Sequence, residues 1–383
     1  MSERNLLMIP GPIEFEPSVL RALGEKTRSH LDPVFMKAYG RAIKRLREVF
    51  QAPTAQPFVV AGSGTLAMEM AVANLIQPGD KALVVNSGYF SDRIGAMLER
   101  HGAAVTHLRA DPGALPSADE VEVALASGGF KVMTVTHVDT STAVLAPVKE
   151  LAAAARKHGV LVVVDGVCSV GGEALEMDAW GVDVAFTASQ KALGTPPGLA
   201  VLLAGPRAVA AWKARTKPVA SMYLDFAEWL PIHEAYEAEK PAYFATPPVN
   251  LIMALDVSLG HLVEEGIGPR VQRHEKFASA MWAAWEALGL TTLPKSHAIS
   301  AHTLSALYYP GQVDAALVKA VAAEGVIIAG GLHPQLKTKY FRVGHMGAVT
   351  KSDLVTTVSA IERGLKACGH PVELGRGVAA LGS

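Results

Sequence analysis

The sequence predicts an α/β protein: a large domain with a mostly parallel sheet flanked by helices, and a smaller α+β domain after it. Three observations predict it. Short apolar β-type runs alternate with stretches of helical spacing. Those runs are apolar at consecutive positions, the pattern of strands that helices cover on both faces. After Gly266 the alternation gives way to a different order of elements.

Leu66 to Ile76 reads as a helix closed by Gln77-Pro-Gly-Asp80, and Lys81 to Val85 as the strand that follows. Asp92 to His101 is helical with Gly102 as its stop, and Val132 to Thr136 is a strand. Val148 to His158 puts Val148, Leu151 and Ala155 on one helical side and ends at Gly159. Val160 to Val164, Val182 to Phe186 and Ala200 to Leu203 are further strands, joined by segments long enough for helical crossovers. Beyond Gly266, Pro269 to Leu288 carries Val271, Phe277, Met281, Trp285 and Leu288 at helical spacing. Short strands are expected at 302–309, 325–328 and 340–343, a helix at 313–324, and a last helix from Ser352 to Cys368. The expected organisation is an N-terminal arm over residues 1–12, a large domain over 13–265 and a small domain over 266–383.

Composition sets the outer limits. A chain of 383 residues, half of them hydrophobic, is long enough for two domains with a large buried core. Lys plus Arg number 35 against 36 Asp plus Glu, so no charge excess points to nucleic acid or an anionic membrane. The two cysteines, Cys168 and Cys368, are too few for a disulfide framework and lack metal-site spacing. No signal peptide and no uninterrupted membrane-length apolar stretch is read. The expectation is a soluble cytoplasmic protein without a metal.

Four places carry chemistry-bearing residues. Val160-Leu-Val-Val-Val runs straight into Asp165, and ligands of open parallel sheets sit at the carboxyl ends of strands. Taken alone, Asp165 is a turn residue or a helix cap. Phe186-Thr-Ala-Ser-Gln ends in Lys191, whose amine would be nucleophilic if partly desolvated at a buried sheet edge. Taken alone, it is an exposed loop lysine. Gly62-Ser-Gly-Thr65 opens a helix and could cup an anion on backbone N–H groups, or simply cap the helix. Arg342, in the short strand Tyr340-Phe-Arg-Val, suits a substrate carboxylate or a structural ion pair. Together, in this order, they make up what pyridoxal-phosphate (PLP) chemistry needs: a phosphate site, an acid for the pyridine nitrogen, an amine, and a carboxylate-binding arginine.

The chain resembles the class V aminotransferases of the fold-type-I PLP superfamily, and among them the alanine–glyoxylate and serine–glyoxylate (serine–pyruvate) enzymes. The resemblance rests on Ile9-Pro-Gly-Pro12, Ala61-Gly-Ser-Gly64, Thr136-His-Val-Asp-Thr-Ser-Thr142, Val164-Asp-Gly-Val-Cys-Ser-Val-Gly171, Thr187-Ala-Ser-Gln-Lys-Ala-Leu-Gly194, Tyr243-Phe-Ala-Thr-Pro-Pro248 and Phe341-Arg-Val-Gly-His-Met-Gly347, in the family's order across nearly the whole chain. It implies that Lys191 is the Schiff-base lysine, that Asp165 pairs with the ring nitrogen and that Val167 packs on the ring. Ser63, Gly64 and Gln190 match phosphate-binding positions, and Thr65 falls where some relatives have His. Ser141 matches a hydroxyl that reaches the ring. Phe90, or Tyr89 if the register moves by one, matches a stacking aromatic. Tyr243 and Thr246 match residues that reach the neighbouring subunit's phosphate, which implies a homodimer. Arg342 matches the carboxylate-binding arginine, and Gly11 lies near the substrate. Cys168 is read as a small buried thiol, and His137 and His345 as structural.

The activity so implied moves an amino group from alanine or serine to glyoxylate or pyruvate, by ping-pong exchange. Pyridoxamine–pyruvate, aminoethylphosphonate and ureidoglycine transaminases share the family. Cysteine desulfurases need a reactive cysteine on a mobile loop, whereas Cys368 falls in a helical run. A Rossmann-type nucleotide-binding protein would need a third glycine that Ala61-Gly-Ser-Gly-Thr65 lacks.

Overall fold

A computed structural model describes residues 5–382; residues 1–4 of the expected arm, and Ser383, lie outside it. Seven strands make the main sheet: β1 Gln56–Ala61, β2 Lys81–Asn86, β3 Ala104–Arg109, β4 Phe130–Thr136, β5 Leu161–Asp165, β6 Val184–Ala188 and β7 Leu199–Ala204. Their order is β1-β7-β6-β5-β4-β2-β3. The pairs from β6 through β3 are parallel, while β7 runs antiparallel to both β6 and β1. The sheet is therefore mostly parallel, as expected, but the β6–β7 connection is no helical crossover. Residues 189–198, Ser-Gln-Lys-Ala-Leu-Gly-Thr-Pro-Pro-Gly, carry two prolines and two glycines and turn the chain back directly.

Alternation along each strand explains why the runs are apolar throughout. In β5, Val162 and Val164 join one core while Leu161 and Val163 join the other. The first core is closed by helices Pro33–Val49, Ala118–Ala126, Val148–Lys157 and Val249–Glu265; the second by Gly64–Leu75 and Tyr89–Arg100. The helix expected to begin at Asp92 starts at Tyr89, and it matters functionally that its first turn lies at the sheet edge.

The C-terminal part has its own core around Phe277, Trp285, Phe341, Val343, Leu354, Val358 and Ile361. Its antiparallel sheet comprises β8 Leu304–Tyr308, β9 Ala329–Gly330 and β10 Tyr340–Gly344, with β10 central. The strand expected at 325–328 is shorter: Val326–Ile327 pairs in parallel with Leu6–Leu7 of the N-terminal arm. That pairing, and the Gly344 N–H donated to Met8 O at 2.8 Å, steer the arm from the small sheet toward the large one. No helix among the described residues is long and apolar enough to cross a membrane.

Candidate active site

Because β1, β2, β4, β5 and β6 point the same way, the loops 62–65, 87–91, 137–142, 166–171 and 189–198 all leave the sheet at one edge. Every candidate residue of the large domain except Tyr243 and Thr246 lies on one of these loops or at a strand end beside them.

Asp165 ends β5, paired with Thr136 on one side and Phe186 on the other. Its residue is 3 % exposed. The Val167 N–H donates to Oδ1 at 3.0 Å, and the His137 N–H to the Asp165 backbone oxygen at 3.0 Å. Burial drives its pKa up to about 7 against the Val167 hydrogen bond, with Asp139 adding to the rise and Lys191 and Arg93 opposing it. A buried carboxyl with so little compensation favours a cationic partner, which a protonated ring nitrogen supplies.

Lys191 sits in the β6–β7 loop, whose backbone is pinned. Gly194 N–H donates to Lys191 O at 2.8 Å and Thr195 N–H to Ser189 O at 2.9 Å. Arg270 donates to Ala192 O at 3.0 Å, and Ser258 to Leu193 O at 2.5 Å. The half-buried ε-amine donates to Pro10 O of the arm. Burial pulls its pKa below the usual lysine range; Cys168 and Asp165 oppose that, and Arg342 adds to it. The shift favours the neutral, nucleophilic amine. Gly11 lies across this side chain with φ +104°, a conformation that glycine adopts without a Cβ penalty.

Ser63 is the N-cap of helix Gly64–Leu75, yet its hydroxyl makes no capping bond. Both Ser63 and Thr65 are exposed. A Cβ on Gly64 would meet Val167 Cγ2 at 2.9 Å and Ala188 Cβ at 3.2 Å, so only glycine lets this helix start close against the neighbouring strand ends. Gln190 Oε1 is buried without a hydrogen-bond partner. Since amide oxygen and nitrogen are assigned rather than seen, this is a buried amide end with an unfilled hydrogen bond. An unused helix N-terminus, a free hydroxyl and an unfilled amide fit a phosphate, and the buried Asp165 fits a ring nitrogen. The residues present therefore suit PLP.

Tyr89 and Phe90 are both half-buried and meet edge to face at 5.3 Å between centroids. Arg93 lies over both rings, 5.0 and 5.1 Å from their centroids, and donates to Thr65 Oγ1 at 3.1 Å and Tyr89 Oη at 2.8 Å. Sequence reasoning passed over Arg93, whose signal was its i+4 and i+3 spacing from the two aromatics.

Ser141 is fully buried; its hydroxyl donates to Asp139 Oδ1 at 2.6 Å and accepts the Tyr89 N–H at 3.0 Å. Its one proton is thus committed, and a lone pair is what it has left for a ligand. Arg342, in β10, donates from Nε to Gly330 O at 2.9 Å and from Nη1 to Thr140 O at 3.2 Å. Two residues earlier, the buried Tyr340 hydroxyl donates to Ser141 O. The small sheet thereby grips the loop 137–142 with two neighbouring side chains.

Cys168 is buried, and burial pushes its thiol up. His137 and His345 are buried and neutral, with pKa values lowered by burial to about 4 and about 3. His345 Nε2 meets Ser305 Oγ at 3.1 Å, which also receives the Trp285 Nε1 hydrogen at 3.1 Å. Tyr243 and Thr246 are exposed, 3.3 Å apart between their hydroxyls, with Tyr243 61 % exposed.

Residues 18–352 match the family model described as aminotransferase class-V. The chain is 39 % identical over 356 residues to alanine–glyoxylate aminotransferase 1 of Saccharomyces cerevisiae, covering 89 % of this chain and 91 % of that one. It is 33 % identical over 386 residues to L-aspartate–glyoxylate aminotransferase of Paracoccus denitrificans, covering 99 % and 96 %. Among solved structures, alanine–glyoxylate aminotransferase from Nostoc sp. superposes with a TM-score of 0.89 at 33 % identity, covering 95 % of this chain and 96 % of that one.

Proposed function

Because the chain belongs to the class V aminotransferases, which depend on pyridoxal phosphate, we propose that it transfers the amino group of alanine or serine to glyoxylate or pyruvate. The observation that carries this reading is that Asp165 and the Lys191 loop share one edge of the large sheet, while Arg342 of the small sheet is bonded at Thr140 O to the adjoining loop 137–142. The choice of a small neutral donor is supported by the similarity to alanine–glyoxylate aminotransferases at 39 % and 33 % identity.

When bound, PLP supplies the electron sink that stabilises charge developing at the substrate α-carbon. The protein's residues do the rest. Lys191 Nζ takes the α-proton and returns it, a role for which its lowered pKa suits it. Asp165 holds a proton on the ring nitrogen. Ser63, Gly64, Thr65 and Gln190 would hold the phosphate, and Val167 and Phe90 or Tyr89 would pack against the ring. Arg342 fixes the substrate carboxylate, and Gly11 leaves room beside it. Tyr243 and Thr246 reach the phosphate across a homodimer interface. Donor and acceptor use one site in turn, which gives ping-pong kinetics.

The test is a panel of amino acids, each offered with glyoxylate and with pyruvate. Alanine or serine with glyoxylate should give the highest kcat/KM, with parallel lines in double-reciprocal plots. Preference for aspartate, ureidoglycine or pyridoxamine as donor would overturn the substrate assignment. Lys191→Ala should lose borohydride-fixed label in the peptide around residue 191 and at least about a thousandfold in kcat. A cysteine desulfurase is disfavoured, because Cys168 is buried and Cys368 caps helix Lys351–Ala367.

A further inference from the structure

The carboxylate of Asp139 is completely buried and lies between two parts of the candidate site. Oδ1 accepts the Ser141 N–H at 2.9 Å and the Ser141 hydroxyl at 2.6 Å. Oδ2 accepts the N–H groups of Phe90 at 3.0 Å and Ser91 at 3.3 Å, at the first turn of helix Tyr89–Arg100. That helix begins at Gly88, where no side chain caps it. The reason is steric: a Cβ at Gly88 would lie 2.5 Å from Ser141 Oγ and 2.8 Å from Asp139 Oδ1. The capping carboxylate is therefore supplied from a residue 49 positions away, and it meets the partial positive charge of the helix start. The same short segment carries Thr140 O, which Arg342 grips, and Ser141 O, which Tyr340 grips.

We infer that Asp139 is a positioning residue of the transamination site: it locks the stacking aromatic, Ser141 and Arg342 into one geometry and biases the bound cofactor toward its protonated form through Ser141. This rests on the PLP reading above. Burial pushes the Asp139 carboxyl upward, but every group bonded to it (the Ser141, Phe90 and Ser91 N–H groups and the Ser141 hydroxyl) donates, which favours the ionised form. An ionised carboxylate one hydrogen bond behind a ligand-facing hydroxyl favours protons on the ligand. The charged or titratable groups around it are Asp165, Tyr340, Arg342 and His333, each of which feels the Asp139 charge. Asp139→Asn cannot reproduce the arrangement. Whichever way its amide points, its NH₂ faces a fixed backbone donor, either the Ser141 N–H or the Phe90 and Ser91 N–H groups.

The experiment is a spectroscopic titration of the holoenzyme from pH 5 to 10, with Asp139→Asn, Ser141→Ala and the double variant compared with wild type. Asp139→Asn should lower the pKa of the visible cofactor band by about half a unit or more, and Ser141→Ala should move it in the same direction. The double variant should shift no further than the larger single shift, since one path carries both effects. The kcat of Asp139→Asn should fall by about tenfold or more. If Asp139→Asn does not fold, Ser141→Ala decides the matter, because it breaks the same link and leaves the carboxylate in place. Band pKa values within about 0.2 of wild type in the folded variants would overturn the inference, leaving Asp139 a helix cap and no more. If wild type itself binds no PLP, or binds it without transaminating, the functional reading fails instead, and the two failures are told apart.

Discussion

Gly11 rests on the side chain of Lys191: a Cβ at position 11 would lie 2.5 Å from Lys191 Cδ and 2.7 Å from Nζ. The arm that carries Gly11 pairs through Leu6–Leu7 with Val326–Ile327, and its Met8 oxygen accepts from Gly344 of the small sheet. Small-domain structure, arm and reactive amine are thus one mechanical chain. Gly11→Ala must strain a backbone at φ +104° and displace the amine as well. Its kcat should fall by about tenfold or more, with a loss of only roughly 1–3 kcal/mol in stability. Steady-state kinetics beside a thermal melt check this; a kcat within twofold of wild type would mean that the arm does not seat the lysine.

The raised pKa of Asp165 makes a prediction for the cofactor-free protein. Its folded value of about 7 lies above the ordinary carboxyl value, so the native state holds the proton more tightly than the unfolded chain. The stabilisation this brings is complete at acid pH, below the unfolded value, and is lost as pH rises through 7. Between pH 5 and 8, stripped wild type should therefore lose stability relative to Asp165→Asn, by roughly 1–3 kcal/mol. Urea midpoints at the two pH values measure it. The same variant should bind PLP more weakly than wild type, since the ring nitrogen loses its counter-charge.

Arg342 is held by two carbonyls, Gly330 O and Thr140 O, which fix the plane of its guanidinium. Arg342→Lys keeps the charge but loses the fork. KM should rise about tenfold or more for amino donor and keto acceptor alike, because both present a carboxylate to the same group. A KM change confined to one of the two substrates would exclude the assigned role.

Tyr243 is a large aromatic exposed on the single chain, and its hydroxyl lies 3.3 Å from that of Thr246. If the pair serves a neighbouring subunit's phosphate, Tyr243→Phe should weaken PLP binding by roughly tenfold while leaving the melting temperature of the stripped protein unchanged. Sedimentation should give a dimer. A monomer with full activity would refute the shared site.

Much of the site is legible in the chain because its chemistry is local. The run from Val160 to Asp165 shows both that the strand is buried and where it ends, and its end puts the carboxylate at a sheet edge. Lys191 follows from the same logic in β6. The elements that escape such a reading are those whose local signal is weak. Strand β3 is an edge strand with partly exposed residues along its length, so it lacks a continuous apolar run. Helices Pro33–Val49 and Val249–Glu265 gain their order from packing on each other and on the sheet.

By itself the sequence determined the alternation of strands and helices, the positions of Lys191, Asp165 and Arg342 along the chain, and the family to which these belong. Tertiary structure alone decided that β7 runs against its neighbours, that Gly11 lies on Lys191, and that Asp139 rather than a local residue caps the helix of Phe90. The physical reason is one of range. Burial pattern and turn chemistry act between residues a few positions apart, whereas the pKa of a carboxyl, the seat of an amine and the partner of a buried oxygen depend on groups that only the folded chain brings together.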